Sequence, residues 1–158
     1  MISVLSVAIG VGLAVSLVFS EIFGLAAGGM VVPGYFALYL DQPLDVILTV
    51  LVGMGTYLVV HLMSTFIIIF GRRRTVLMIL AGYLVRLFMD ALPYDAIRSA
   101  GFALPGNVDL KVIGYIVPGL IAIWMDRQGL VETLCALLTA SVVVRLILIL
   151  VLGADVKL

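Results

Sequence analysis

The sequence predicts an all-α integral membrane protein of about six transmembrane helices, arranged as a 3+3 inverted repeat. Three observations predict it: the composition, a series of long apolar stretches and a repeated proline motif. Of the 158 residues, 65% are hydrophobic and 11% are charged, whereas a soluble domain is about 45–50% apolar and about 25% charged. A chain of this size cannot cover so much apolar surface in water. We therefore expect residues 1–158 to form a single transmembrane domain.

Six stretches of the chain are candidates for crossing the bilayer. A helix that crosses the hydrocarbon core, which is about 30 Å thick, needs about 20 apolar residues. Four stretches reach or nearly reach that length: 2–20, 46–70, 75–92 and 130–152. Two others, 22–40 and 112–125, contain a proline and are either broken spanning helices or re-entrant segments. The first reading gives six crossings with two Pro/Gly-broken helices, and the alternative gives four spans plus two re-entrant segments.

The two proline stretches repeat each other at a spacing of 85 residues. Residues 29–41 read GMVVPGYFALYLD and residues 114–126 read GYIVPGLIAIWMD. The glycine, valine, Pro-Gly pair, alanine and aspartate coincide, which indicates a duplicated unit with halves of about 1–71 and 75–152. Interrupted apolar segments in corresponding positions of two halves are typical of a central site in membrane transport proteins.

Each copy of the motif is expected to break a helix. A proline in a continuing helix cannot donate to the carbonyl four residues back, and that position is glycine in both copies. Such a break exposes carbonyls on one side and amides on the other, and the amide end suits an anion. Close packing between the halves would also explain the repetition. The residues concerned are Gly29, Pro33, Gly34, Gly114, Pro118 and Gly119.

A run of three arginines sets the predicted orientation. Arg72, Arg73 and Arg74 are predicted to lie in a short loop, which the positive-inside rule places in the cytoplasm. With six crossings, the loop holding Asp126 is also inside, and both termini and the 91–111 loop are outside. The remaining basic residues do not distinguish six crossings from four. The triplet is predicted either to dock a cytoplasmic partner or to act as a topology anchor beside lipid headgroups.

Three ionisable residues are predicted to lie inside the membrane, where each is costly and therefore a candidate for function. His61 lies within 46–70, Arg86 within 75–92 and Arg145 within 130–152. Two arginines facing a cavity would make a path suited to carboxylates or phosphates. Simpler accounts are an ion pair of Arg86 with Asp90, one helical turn on, and an Arg145 side chain that reaches outward to the interface.

The sequence offers little for catalysis or for nucleic-acid binding. Nine basic and nine acidic residues cancel, so no basic footprint for nucleic acid is present. The chain has one histidine and one cysteine, and it contains neither a phosphate-binding P-loop nor a His/Cys metal cluster. We therefore predict no catalytic residues, no metal site and no cofactor in this chain.

Three segments together resemble a known family. The segments EIFGLAAGGMVVPGYFALYLDQP, FGRRR and VIGYIVPGLIAIWMDRQG look like those of the CapC/PgsC-type membrane subunit of poly-γ-glutamate synthesis, a route of capsule biosynthesis. The resemblance covers nearly the whole chain, and the two proline motifs and the arginine run are its most specific parts.

The resemblance implies a function that composition alone does not show. Such proteins work with an ATP-dependent amide ligase of CapB/PgsB type, on which ATP and Mg²⁺ are expected, and with a CapA/PgsA-type membrane partner. The implied role is a non-catalytic, multi-pass subunit in a bacterial or archaeal cytoplasmic membrane. It would dock the ligase at the cytoplasmic face and help the anionic polyglutamate across, and a homo-oligomer is a candidate assembly.

Two alternatives from other classes stay open at the level of sequence. In the first alternative, the chain is an autonomous transporter or channel for small solutes or ions, with the repeat as its moving element. In the second, it is a pure scaffold for the ligase. The transporter predicts solute flux with this chain alone. The scaffold predicts that Arg86→Ala and Arg145→Ala leave polymer output unchanged.

Overall fold

The computed structural model describes residues 4–66, 71–91 and 112–153. All six elements described there are α-helices, and we number them in chain order. They are α1 (Val4–Phe23), α2 (Val32–Tyr39), α3 (Pro43–Phe66), α4 (Arg72–Ala91), α5 (Val117–Gln128) and α6 (Leu130–Leu152). The predicted 91–111 loop lies almost wholly outside the described residues.

Three of the helices are long and apolar enough to cross a membrane. They are the spans Leu5–Phe23, Pro43–Phe66 and Leu130–Val151, which correspond to three of the predicted stretches. Helix α4 has 20 residues, which is a sufficient length, but its arginines make it less apolar. The apolar helices indicate membrane association, and the count of six crossings stays a prediction.

The two proline stretches are not continuous helices, which corrects the position of the predicted break. The backbone is irregular between α1 and α2 and again over residues 112–116, and a short helix follows each irregular stretch. Both prolines lie in the first turn of their helices, Pro33 in α2 and Pro118 in α5. A proline there costs no hydrogen bond, because the first-turn amides have no partner within the helix. The prolines therefore begin helices rather than interrupt them.

The two glycines four residues before the prolines belong to the irregular stretches. Gly29 has φ +119° and Gly114 has φ +62°, a region of backbone conformation that favours glycine. The sequence predicted that the carbonyls of these two glycines would lose a helical hydrogen bond at the prolines. Because both glycines precede the helices, no such bond is lost. Instead, these glycines supply the turns by which the chain enters α2 and α5.

The arginine triplet is helical, which corrects the prediction that it lies in a loop. Arg72, Arg73 and Arg74 form the first turn of α4. Gly71, with φ +62°, directly precedes the helix, and the Arg74 amide donates to the Gly71 carbonyl. Arginine is a good helix former, so the helix extends back to the glycine.

The first proline stretch runs antiparallel to α1 and alongside α6. Gly34 packs against the α1 backbone at Gly12, where an added Cβ would lie 2.7 Å from the Gly34 Cα. On α6, Leu137 lies beside Gly28, and Arg145 reaches Asp41 beyond the end of α2. Eight helical residues separate those two contacts on α6, so the stretch follows α6 for about 12 Å.

The second proline stretch makes matching contacts with α4. Gly119 packs against the α4 backbone, where a Cβ added to Gly82 would lie 2.6 Å from the Gly119 nitrogen. Arg86 contacts Gly114 at one end of the stretch, and Arg74 pairs with Asp126 at the other. Twelve helical residues separate the two arginines, so this stretch runs antiparallel to α4 for about 18 Å.

The two proline stretches meet in one apolar cluster. Its buried members come from α2, α3, α5 and α6 and from the residues just before α5: Val32, Phe36, Val46, Ile113, Val117, Ile121, Met125 and Leu137. The sequence predicts a central region to which each half contributes one break. Within the described residues the stretches do meet, and apolar side chains fill the place where they do.

The contact between α1 and α2 yields a prediction with a control in the same helix. Gly12→Ala should destabilise the protein by about 1–3 kcal/mol, because the new methyl group would overlap the backbone of α2. Gly10 has no atom within 4 Å of an added Cβ, so Gly10→Ala should be neutral or stabilising. Thermal unfolding in detergent measures both, and equal midpoints would contradict this packing.

Candidate functional site: the side chains that hold the proline stretches

Arg86 is buried against the second proline stretch. Its side chain is only 4% exposed, and its Nη1 donates to the Val112 carbonyl and, at 3.4 Å, to the Gly114 carbonyl. The guanidinium also lies 4.8 Å from the centre of the Tyr115 ring. These carbonyls belong to irregular backbone and need a donor. The predicted partner, Asp90, has a side chain outside those described.

Arg145 contacts the end of the first proline stretch. Its Nη1 donates to the Ala37 carbonyl at 3.1 Å, and its Nη2 lies 2.6 Å from Asp41 Oδ2. The Arg145 side chain is 14% exposed, whereas that of Asp41 is 55% exposed. The arginine therefore meets a more exposed carboxylate of the repeated motif at the end of the stretch.

The structure does not bring the three predicted path residues together. Arg86 lies against the second proline stretch, and Arg145 lies against the first. His61 is exposed on α3, with its ring stacked 5.6 Å from that of Tyr57. Their role along a substrate path stays a prediction.

Two further side chains hold the proline stretches, and sequence reasoning missed both. Gln128, at the end of α5, donates to the Ala26 carbonyl at 2.6 Å and accepts from the Ala26 amide at 3.0 Å. Thr49 accepts from the Ile113 amide at 2.9 Å and donates to the Asp45 carbonyl at 2.6 Å. An isolated glutamine or threonine carries no sequence signal for such a contact. Only the fold brings these side chains to the irregular backbone.

The two halves differ at one matched position. Arg86 lies one turn after Gly82, the α4 residue that contacts Gly119. Ser16 lies one turn after Gly12, the corresponding residue of α1. Ser16 is 3% exposed, and its hydroxyl has no hydrogen-bond partner among the described residues. The second stretch is therefore held by a guanidinium where the first has only a serine.

The arginine triplet lies beside the loop that holds Asp126. Arg74 Nη2 is 2.5 Å from Asp126 Oδ1, and the two side chains are 25% and 20% exposed. A cleft of about 380 Å³ adjoins this pair, and Arg72 and Arg127 also line it. The Arg127 guanidinium lies 5.5 Å from the centre of the Trp124 ring. This end of the molecule presents a positively charged surface that suits an anionic partner.

The described residues offer contacts rather than a catalytic constellation. Within them, no group of three or more His, Cys, Asp or Glu side chains is placed to hold a metal ion. The buried and half-buried arginines bind carbonyls and carboxylates of this same chain. The arrangement can fix two irregular backbone stretches inside a helical bundle and can present cationic side chains at one end.

Comparison with known proteins gives a consistent picture. The model of a family described as "Capsule biosynthesis CapC" matches residues 11–134. The chain is similar to the PGA biosynthesis protein CapC of Bacillus subtilis (strain 168), with 37% identity over 139 residues that cover 87% of this chain and 88% of that protein. It is also similar to the capsule biosynthesis protein CapC of Bacillus anthracis, with 34% identity over 135 residues that cover 82% and 83%. No solved structure matches.

The hydrogen bond from Ile113 to Thr49 can be tested with two threonines of one helix. Thr49→Val removes the acceptor of a buried amide and should destabilise the protein by about 1–3 kcal/mol. Thr56 is also fully buried, and its hydroxyl bonds only to the Val52 carbonyl of its own helix. Thr56→Val should therefore change stability much less. Chemical denaturation in detergent measures the difference, and a larger loss at Thr56 would contradict the assignment.

The ion pair between Arg74 and Asp126 can be tested by exchanging its charges. Arg74→Asp and Asp126→Arg should each destabilise the protein, because each places like charges together. The double exchange should recover about 0.5–1 kcal/mol, since both groups are partly exposed and solvent screens the pair. A double-mutant cycle on thermal unfolding measures the coupling. A coupling of zero would mean that α4 and the end of α5 do not meet there.

Proposed function

The chain belongs to the CapC family of capsule biosynthesis proteins, and we propose that it is the membrane subunit of a poly-γ-glutamate synthase and export complex. The resemblance in the motifs is confirmed by the family match and by both relatives. In this proposal the subunit docks an ATP-dependent amide ligase at the cytoplasmic face and helps the polymer cross the membrane. The name of the Bacillus subtilis relative, a PGA biosynthesis protein, supports the choice of polymer.

The cationic end of the bundle is the observation that carries the docking role. Arg72 and Arg73 are exposed at the start of α4, and Arg127 is exposed at the end of α5. Three cations on one end of a membrane protein favour the cytoplasmic side. They also attract an anionic chain or an acidic protein surface, because guanidinium groups bind carboxylates with two parallel hydrogen bonds.

The proposal includes six crossings and two inverted halves. Ala26, early in the first proline stretch, is held by Gln128, at the end of the second, and this contact supports two stretches that run in opposite directions. Each stretch runs antiparallel to the helix that begins its half. These contacts support broken spanning segments over re-entrant ones, with repeat halves of about 1–71 and 75–152 in one transmembrane domain.

The polymer path is proposed to form between copies of the chain or with a partner. Apolar side chains fill the place where the proline stretches meet, and an anionic chain is poorly solvated by such a surface. The side chains of Arg145 and His61 are exposed enough to contact another copy of the chain or a partner. Arg86 is buried and instead holds the second proline stretch. The CapA/PgsA-type membrane protein is the proposed partner for export.

The chemistry is proposed to reside in the CapB/PgsB-type ligase, which would carry ATP and Mg²⁺. A pure scaffold is a second candidate, since both membrane arginines contact this chain's own carbonyls. An autonomous transporter is a third, because irregular backbone inside a bundle is a feature of transporters. In all three cases the proposed location is the cytoplasmic membrane.

The deciding experiment measures ATP-dependent incorporation of labelled glutamate into polymer by membranes that contain the ligase. Polymer should form only when this chain is present. Arg73→Glu should lower the yield several-fold by weakening the docking surface, and Arg73→Lys, which keeps the charge, should restore most of it. A ligase that works equally well alone would contradict the synthase role. Solute flux in vesicles with this chain alone would then favour the transporter.

A further inference from the structure

Two cavities at the arginine end share one side chain. The polar cleft beside Asp126 and a second cavity of about 440 Å³ are both lined by Arg72. Among the described residues, Arg73, Val76 and Leu77 also line the second cavity. A cleft lined by arginines thus adjoins a second cavity, which is lined by apolar residues farther along α4.

The polar cleft carries an excess of positive charge. The described residues that line it include Arg72, Arg74 and Arg127 and one carboxylate, Asp126. Arg74 already pairs with that carboxylate. Among the described residues, no acidic side chain forms an ion pair with Arg72 or Arg127. Two guanidinium groups are therefore available to an anion from outside the chain.

The second cavity lies deeper along α4. Val76 is four residues beyond Arg72, about 6 Å along the helix, and its side chain is 62% exposed. In a helix that enters a bilayer at Arg72, this depth corresponds to the passage from headgroups to acyl chains. The cavity therefore offers an apolar wall directly below a cationic one.

We propose that this pair of cavities binds an anionic phospholipid. Its phosphate lies between Arg72 and Arg127, and the start of an acyl chain lies along Val76 and Leu77. A free phosphate or an acidic peptide would engage the arginines but leave the apolar wall unused, which is why a lipid fits better. The site goes beyond the synthase role: it shares Arg72 and Arg127 with the proposed docking surface, but it rests on a cleft of this chain alone.

The test uses the purified full-length chain in nanodiscs that contain phosphatidylcholine with increasing phosphatidylglycerol. Native mass spectrometry after gentle release should show retained phosphatidylglycerol with a preference of at least tenfold over phosphatidylcholine. Arg72→Gln with Arg127→Gln should abolish that preference, since each arginine near an anionic surface contributes about a factor of five. Lys111→Gln with Lys157→Gln lowers the net charge of the chain by the same amount and should leave the preference unchanged.

Further measurements distinguish a bound lipid from the other anions that the arginines could bind. Glycerol 3-phosphate carries the headgroup without acyl chains and should not displace the lipid, and Val76→Asn should weaken lipid retention. Displacement by glycerol 3-phosphate or by poly-γ-glutamate at comparable concentration would overturn the proposal in favour of a phosphate or carboxylate site. Equal retention of both lipids would also overturn it. The glutamate incorporation assay is independent, so either proposal can fail without the other.

Discussion

The structure depends on satisfying the polar backbone of two irregular stretches inside an apolar bundle. In hydrocarbon an unpaired carbonyl or amide costs several kcal/mol, so irregular backbone persists only where the protein supplies its partners. Gln128 supplies both partners of Ala26, Thr49 supplies one for Ile113, and Arg86 supplies one for Val112 and Gly114. Thr49 and Arg86 come from the flanking helices α3 and α4, and Gln128 comes from the end of the second stretch itself. The helices are thus arranged around the backbone that they stabilise.

Glycines at the helix crossings bring the helices close enough for those side chains to reach the irregular backbone. Gly12 and Gly34 bring α1 against α2, and Gly82 and Gly119 bring α4 against α5, with contacts that no larger residue would permit without displacement. Small residues at such crossings are the usual means by which helices associate in membranes. Gly34 and Gly119 of the repeated motif thus act as packing surfaces.

Apolar length and the repeated motif together predicted part of the fold. Composition predicted a membrane protein, the stretch 130–152 predicted α6 to the residue, and the repeat predicted that the two proline stretches meet. In the two proline stretches the sequence did not reveal where the helix begins, because the same proline pattern fits the first turn and the middle of a helix. It also missed Gln128 and Thr49, since their partners are backbone atoms 102 and 64 positions away. Long-range contacts with the backbone leave no periodicity to detect.

We propose that both proline stretches cross the membrane, and labelling of single cysteines tests this most directly for the first stretch. Glu21 lies near the end of α1, Gln42 follows α2, and both are exposed. With Cys135 replaced by serine, Glu21→Cys and Gln42→Cys would be treated with a membrane-impermeant maleimide in sealed vesicles of known orientation. The account predicts that the two cysteines react from opposite sides. Reaction of both from the same side would show that the first stretch is re-entrant and would contradict the account.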